Sequence, residues 1–190
     1  TLSSGLAFGG PANESGNIRF RFALRKDNTD GFRENLYLNR SDTSRKDETT
    51  LRLKLDFDLD KDLTAKVLLS QVDMDDPADI WTIDGSLNTL SDRPGMDAQN
   101  TDKIGLKFFK KNRFSVFQSL TSTTNTDVVF SYDADWGNVD SHAPYTYDYF
   151  SQTLRNRKSF GQEFRLVSNE NFETERLPFS WVLGAVSYTH

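Results

Sequence analysis

The sequence predicts an all-β fold: an antiparallel, up-and-down transmembrane β-barrel of which about eight strands are legible. Three observations predict it. Apolar and polar residues alternate in runs along the whole chain, the period of strands with two unlike faces. The connections between runs are alternately short and long. The hydrophobic fraction is a modest 36%, which fits a sheet whose oily face requires no second apolar layer.

The runs follow in order. "TLSSGLAFGG" sets Leu2, Leu6 and Phe8 against Ser3, Gly5 and Ala7. "NIRFRFALR" sets Ile18, Phe20, Phe22 and Leu24 against Arg19, Arg21, Ala23 and Arg25. In "TLRLKLDFDL", Leu51, Leu53, Leu55, Phe57 and Leu59 alternate with Arg52, Lys54, Asp56 and Asp58. "DLTAKVLLSQV" opposes Leu63, Ala65, Val67 and Leu69 to Thr64, Lys66, Leu68 and Ser70. "KIGLKFF" opposes Ile104, Leu106 and Phe108 to Gly105, Lys107 and Phe109. "RFSVFQSL" puts Phe114, Val116 and Leu120 on the apolar side, and "DVVFSY" continues in phase with Val128, Phe130 and Tyr132. "FGQEFRLV" places Phe160, Phe164 and Leu166 opposite Gly161, Glu163, Arg165 and Val167. "PFSWVLGAVSY" is apolar on both sides, so its orientation stays open. No segment carries helical periodicity.

Tight turns fall at "DKD" (60–62) and "KKN" (110–112), with short loops at "PANESGN" and after Asn169. Three long connections separate them, about 28–48, 73–102 and 134–158. In a meander this alternation places every long loop at one end and every short turn at the other. Compact domains rarely hold three irregular loops of more than about 15 residues, whereas outer-membrane barrels combine tight turns on one side with long loops on the other. The covering layer for the apolar face is then lipid, and the charged rows face a wet lumen. A soluble β-sandwich also alternates, but it needs a second apolar layer and more even turn spacing.

Composition excludes several classes. The net charge is −5, which speaks against nucleic acid as a general partner. Alternation also separates Arg19 and Arg21 from Phe20 and Phe22, so no interleaved stacking platform forms. There is no cysteine, hence no disulfide or thiolate metal site. No run approaches the roughly 18 apolar residues of a membrane helix. The chain opens on Thr1 without a basic and apolar leader, as expected after signal-peptide removal or of a cut piece.

Several segments resemble TonB-dependent outer-membrane receptors. "NIRFRFALRKDNTDGFRENLYLNR" resembles their early barrel, and "GGPANESGN" the short periplasmic turn before it. "LRLKLDFDLDKDLTAKVLL" is similar to the next hairpin, and "FSVFQSLTSTTN" with "YDADW" to a later rising strand and its outer end. "FGQEFRLVS" and "FSWVLGAVSY" resemble a descending strand and the ascent that follows. The likeness covers roughly residues 17 to 190. It implies a 22-stranded barrel with an N-terminal plug, in the outer membrane of a Gram-negative bacterium. It further implies import of a scarce solute, such as a ferric siderophore, with energy supplied through TonB. Plug, TonB box and C-terminal closing strand have no counterpart here, so the expectation is an internal fragment: residues 1–190 as a partial barrel of about eight strands. Its partners would be outer-membrane lipid, a siderophore-like ligand and, through the missing N-terminal region, the TonB complex. The alternative functions are a passive porin-like channel and a soluble carbohydrate-binding sandwich.

Candidate chemistry is sparse, and neither an enzyme nor a cofactor is expected. Asp73, Asp75, Asp76 and Asp79 in "DMDDPAD" supply the oxygens calcium takes, but without the glycine and distal glutamate of an EF-hand they read as a solvated acidic loop. Asp56, Asp58, Asp60 and Asp62 read as lumen rim and turn formers. His142 and His190 have no nearby ligand partner, so no metal site is expected. The ligand-binding candidates lie in or beside the long loops: Trp81, Arg93, Trp136, Tyr145 and Tyr147, with Tyr149 and Phe150 next to them. Aromatics with a few charges suit a small-molecule vestibule. Tyr147 and Tyr149 are equally placed for an outer aromatic girdle, and alternation does not separate the two roles.

Overall fold

The computed structural model describes residues 2–176 and 179–189. Eight long strands form one antiparallel sheet in sequence order. They are β1 (Leu2–Pro11), β2 (Ile18–Thr29), β4 (Lys46–Asp60), β5 (Leu63–Pro77), β7 (Met96–Lys111), β8 (Ser115–Asp133), β9 (Phe150–Ser168) and β10 (Val182–Thr189). Two short strands, β3 (Glu34–Asn35) and β6 (Asn88–Thr89), pair in parallel between the first two long loops. The sheet is not closed into a barrel: β1 and β10 are its edges. All tight connections lie at one end and all three long loops at the other, as the meander requires. His190, one of the two histidines considered as ligands, lies outside the described residues.

Register fixes what each face carries. Phe8, Phe22, Leu53, Leu69 and Ile104 form one row across five strands. The next row toward the tight turns holds Phe20, Leu55, Val67 and Leu106, and the row beyond it Ile18, Phe57, Ala65 and Phe108. This is the leucine face. Arg19, Arg21, Arg52, Lys54, Lys66, Lys107 and Arg165 lie on the other side, the arginine face, where the alternation placed them. Arg19 bonds Asp58 across strands at 2.5 Å, and Lys66 bonds Asp56 at 3.1 Å. Such exposed pairs contribute only about 0–1 kcal/mol each, so they set register more than stability.

β8 corrects the expected facing. Val116, Leu120, Val128, Phe130 and Tyr132 lie on the arginine face, because Leu120 stands opposite Lys107 and Glu163. Ser119, Thr121 and Thr123 take the leucine face instead. Period two separates two faces without saying which is which, and a one-residue slip exchanges them. The neighbours decide. Thr121 donates to Gln162 at 2.6 Å and Gln162 to Ser119 at 3.1 Å, so the polar groups on the leucine face satisfy one another. Phe117 stacks on Phe164 on the same side at 6.1 Å. In β10, whose orientation was open, Leu183 and Ala185 join the leucine face and Val182, Val186 and Tyr188 the arginine face.

The strands also run further than their apolar alternation. Residues 73–77, 96–102 and 150–158, expected in loops, are strand. Here the leucine face turns polar: Asn100 donates to Asp73 at 3.3 Å and Asn156 to Asp127 at 2.7 Å. The alternation of β4 breaks at its end, where a register shift between Asp58 and Asp60 leaves Leu59 unpaired and 56% exposed. The loop after Asn169 contains a short helix, α1 (Glu170–Glu175), whose first turn Asn169 caps by accepting from the Phe172 amide. One turn and a half is too short to show a helical period.

Among the described residues no second layer covers the sheet. Among the described residues the buried apolar side chains are Ala65 and Ala78, while Phe8, Leu69, Ile104, Phe160 and Phe164 are all exposed. The accessible surface is 12455 Å², against about 9,200 Å² for a compact monomer of 21.7 kDa.

Candidate functional site

The interior that the chain does enclose is polar, and it lies in the long loops. Asp79 accepts from Asn35 at 2.9 Å and from Thr89 at 2.6 Å. Asn35 also donates to the Ser91 carbonyl at 2.8 Å, and its own Oδ1 accepts from the Leu38 amide at 2.8 Å. Asn35, Thr43, Asp79, Thr89 and Ser91 are all at most 3% exposed. These bonds join the first loop (30–45) to the second (78–95). The second is tied to the third (134–149) by Asp92 N to Gly137 O at 2.9 Å and Asn138 Nδ2 to Leu90 O at 2.8 Å. Gly95 is required where the second loop returns to the sheet: a Cβ there would stand 1.9 Å from the Ser131 carbonyl oxygen. Buried side-chain amides and carboxylates that are mutually bonded hold three loops as one layer.

The acidic segment is therefore not a solvated loop. Asp73 and Asp75 lie on β5 facing one side and Asp76 the other, while Asp79 sits in the buried cluster. Asp76 is 8% exposed and accepts from the Asp47 amide at 2.8 Å, and burial pushes its carboxyl up. Among the described residues no group of three or more His, Cys, Asp or Glu side chains is placed to hold a metal.

The five candidate residues divide. Trp81 is half-buried and packs on Tyr132 at 4.9 Å, on the arginine face. Trp136 is 42% exposed, with a left-handed backbone at φ 62°. Tyr145, Tyr147 and Tyr149 form a ladder with 5.9 Å between successive rings, and His142 meets Tyr147 edge-on at 5.3 Å. Arg93 reaches the same segment, ion-paired with Asp148 and lying 5.3 Å over Phe150. The tyrosines are 64%, 41% and 59% exposed. Between the ladder and Phe160 the leucine face of β9 carries Gln152, Asn156 and Lys158 together with Leu154, over about 33 Å of strand from 150 to 160. The ladder stands at the outer end of this strand, and its exposed rings are open to an incoming molecule. Their place in or beside the long connections located these aromatics in the sequence; the Asn35–Asp79–Thr89 cluster carries no pattern beyond the polar composition of the loops.

Asp133, the last residue of β8 and beyond the apolar part of the sheet, adds a pH-sensitive element. It is 4% exposed, and burial pushes its carboxyl up, although the Ser91 hydroxyl beside it acts the other way. No protein-family model matches the chain, and no curated protein matches it.

A carboxyl with a raised folded value contributes stability at low pH and loses it as pH rises through that value. Asp133→Asn keeps the oxygen that accepts the Asp135 amide and removes the buried charge. Melting followed by tryptophan fluorescence between about pH 4 and 8 should show the variant more stable than wild type at neutral pH, with the gap closing toward about pH 4, the ordinary range of an Asp carboxyl.

Proposed function

We propose that this chain is part of the β-barrel of a TonB-dependent outer-membrane receptor, importing a scarce solute such as a ferric siderophore across the outer membrane of a Gram-negative bacterium. The observation that carries the membrane part is the uncovered leucine face: five adjacent strands present Phe, Leu, Ile and Val in shared rows, and no layer of the chain lies over them. In lipid those side chains have the right solvent, and the backbone groups are already paired within the sheet. The height also fits. The apolar residues of β4 run from Leu51 to Leu59, about 27 Å of strand; at a tilt near 40° they stand about 21 Å tall, close to the roughly 25 Å apolar band of outer-membrane barrels. Directly above that band the same face carries the polar row Asp73, Asn100, Asp127 and Asn156, with Ala98, Val129 and Leu154 in the row beyond; the polar row suits strands that continue into water.

In this reading the tight turns are periplasmic and the loop layer extracellular. Trp136, Arg93, Tyr145 and Tyr147 stand at the ligand entrance, with Trp81 bracing the loop beneath them. The arginine face lines the lumen. The receptor assignment rests on the resemblance of the strand and turn segments. The loop layer supports it, because three tied loops form a preorganised vestibule. A passive porin-like channel shares the barrel but not the need for energy. A soluble sandwich is disfavoured by the single sheet.

Two measurements test this. Leu53→Arg, placing a charge in the lipid band, should cost about 2–4 kcal/mol and sharply reduce the folded protein recovered in outer membranes. Lys107→Leu, on the lumen side, should be tolerated; equal losses count against the barrel. In cells that depend on the full-length receptor for iron, uptake should stop on addition of a protonophore. Uptake that continues unchanged identifies a passive channel instead.

A further inference from the structure

Five cations of the arginine face have carboxylates. Arg19 has Asp58, Arg25 has Asp27, Lys46 has Glu48, Lys66 has Asp56 and Arg165 has Glu163. The exceptions on β2 and β4 are adjacent to one another. Arg21 stands directly opposite Lys54, and Arg52 is the next residue of β4 on that face. Cross-strand partners on one face have Cβ atoms about 4.5–5.5 Å apart, and like charges so placed are destabilising. No carboxylate among the described residues pairs with any of the three. Other cations without a carboxylate on this face, Lys103, Lys107, Lys111, Arg155 and Arg157, lie on later strands; Lys107 rests over the Phe109 ring at 4.8 Å.

The space beside the cluster is open. β1 presents Ser3, Gly5, Ala7 and Gly9 to this face, opposite Asp27, Arg25, Ala23 and Arg21. With side chains this short, an open cleft of about 800 Å³ remains along β1, lined on this face by Ser3, Gly5, Ala7, Ala23, Arg25 and Arg52 among others; of Arg21, Arg52 and Lys54, Arg52 alone lines it. The flanking arginines, Arg19 and Arg25, are neutralised within the chain. The centre is left with three positive groups, and the cleft opens beside Arg52. We propose that Arg21, Arg52 and Lys54 form a binding site for a small multivalent oxyanion, phosphate- or carboxylate-bearing. Two guanidinium groups offer planar, paired donors and the lysine a mobile point charge, a set matched to such oxygens. The site does not depend on what covers the leucine face or on transport.

The test uses the full chain folded in a nonionic detergent at low salt, with circular dichroism to confirm folding of each variant. Pyrophosphate and citrate are titrated calorimetrically against wild type, an Arg21→Gln/Lys54→Gln double variant, and Lys66→Gln as a control whose cation already has a partner. Wild type should bind at least one of the two anions saturably and melt at a higher temperature in its presence. The double variant should lose at least tenfold in affinity and the control less than threefold. Without anion, Lys54→Gln should melt no lower than wild type, because it relieves repulsion from Arg21. The proposal is overturned by three results: no saturable binding of either anion to wild type at millimolar concentration, undiminished binding to the folded double variant, or a lower melting temperature for Lys54→Gln in anion-free buffer.

Discussion

The structure depends on one constraint: a sheet can satisfy its backbone hydrogen bonds completely and still leave its side chains without a suitable solvent. Here eight strands pair in sequence order, so the backbone is settled except along β1 and β10. The side chains are not. Phe22, Leu53, Leu69 and Ile104 stand in one row, and among the described residues no element packs over them. In water such a face drives association; in a bilayer it is the natural outer surface. The charged face has the opposite requirement, and its cross-strand pairs, Arg19 with Asp58 and Lys66 with Asp56, are arranged for a wet side.

The loop layer follows from the same division. Because the sheet contributes little enclosed core, apolar packing against it, such as Trp81 on Tyr132, is not the main anchor of the loops. They are held instead by the mutually bonded set Asn35, Asp79 and Thr89, by Asn138 reaching the Leu90 carbonyl, and by the glycine contact at Gly95. That anchoring leaves the outer residues available: the tyrosine ladder and Trp136 remain exposed while the chain beneath them is fixed. Asp133, buried at the junction of β8 and the third loop, makes this layer respond to pH, whereas the apolar part of the sheet has no equivalent group buried within it.

Much of the fold was legible because the strongest signal, strict alternation in β2, β4 and β5, reports the same physics that sets the register. The tight turn at 60–62 was equally plain, whereas the one expected at 110–112 falls at 112–114, because β7 runs on to Lys111. The parts that escaped have identifiable causes. The outer portions of β7, β8 and β9 read as Asn, Thr, Asp and Ser, a composition shared with loops, and are strand because neighbouring strands there offer backbone partners and side-chain amide ladders such as Asn156 with Asp127. β8 alternates in its own right, yet its facing is decided by Lys107 and Glu163 on the strands beside it, which no local pattern can reveal. Of the candidate site, the aromatic and arginine positions were visible as residue types. Their division was not: Trp81 is placed by Tyr132, and Arg93 by Asp148, across long sequence separations. The unpartnered trio Arg21, Arg52 and Lys54 emerges only once register shows which cations already have a carboxylate.

The central claim is that β4 meets lipid on one side and water on the other. Single spin labels at each position from 51 to 57, in the full chain reconstituted into lipid vesicles, measure this directly through their accessibility to oxygen and to a water-soluble nickel chelate. The account predicts strict alternation, with labels at 51, 53, 55 and 57 exposed to oxygen and labels at 52, 54 and 56 exposed to the chelate. Chelate access at all seven positions, or an absence of alternation, contradicts it.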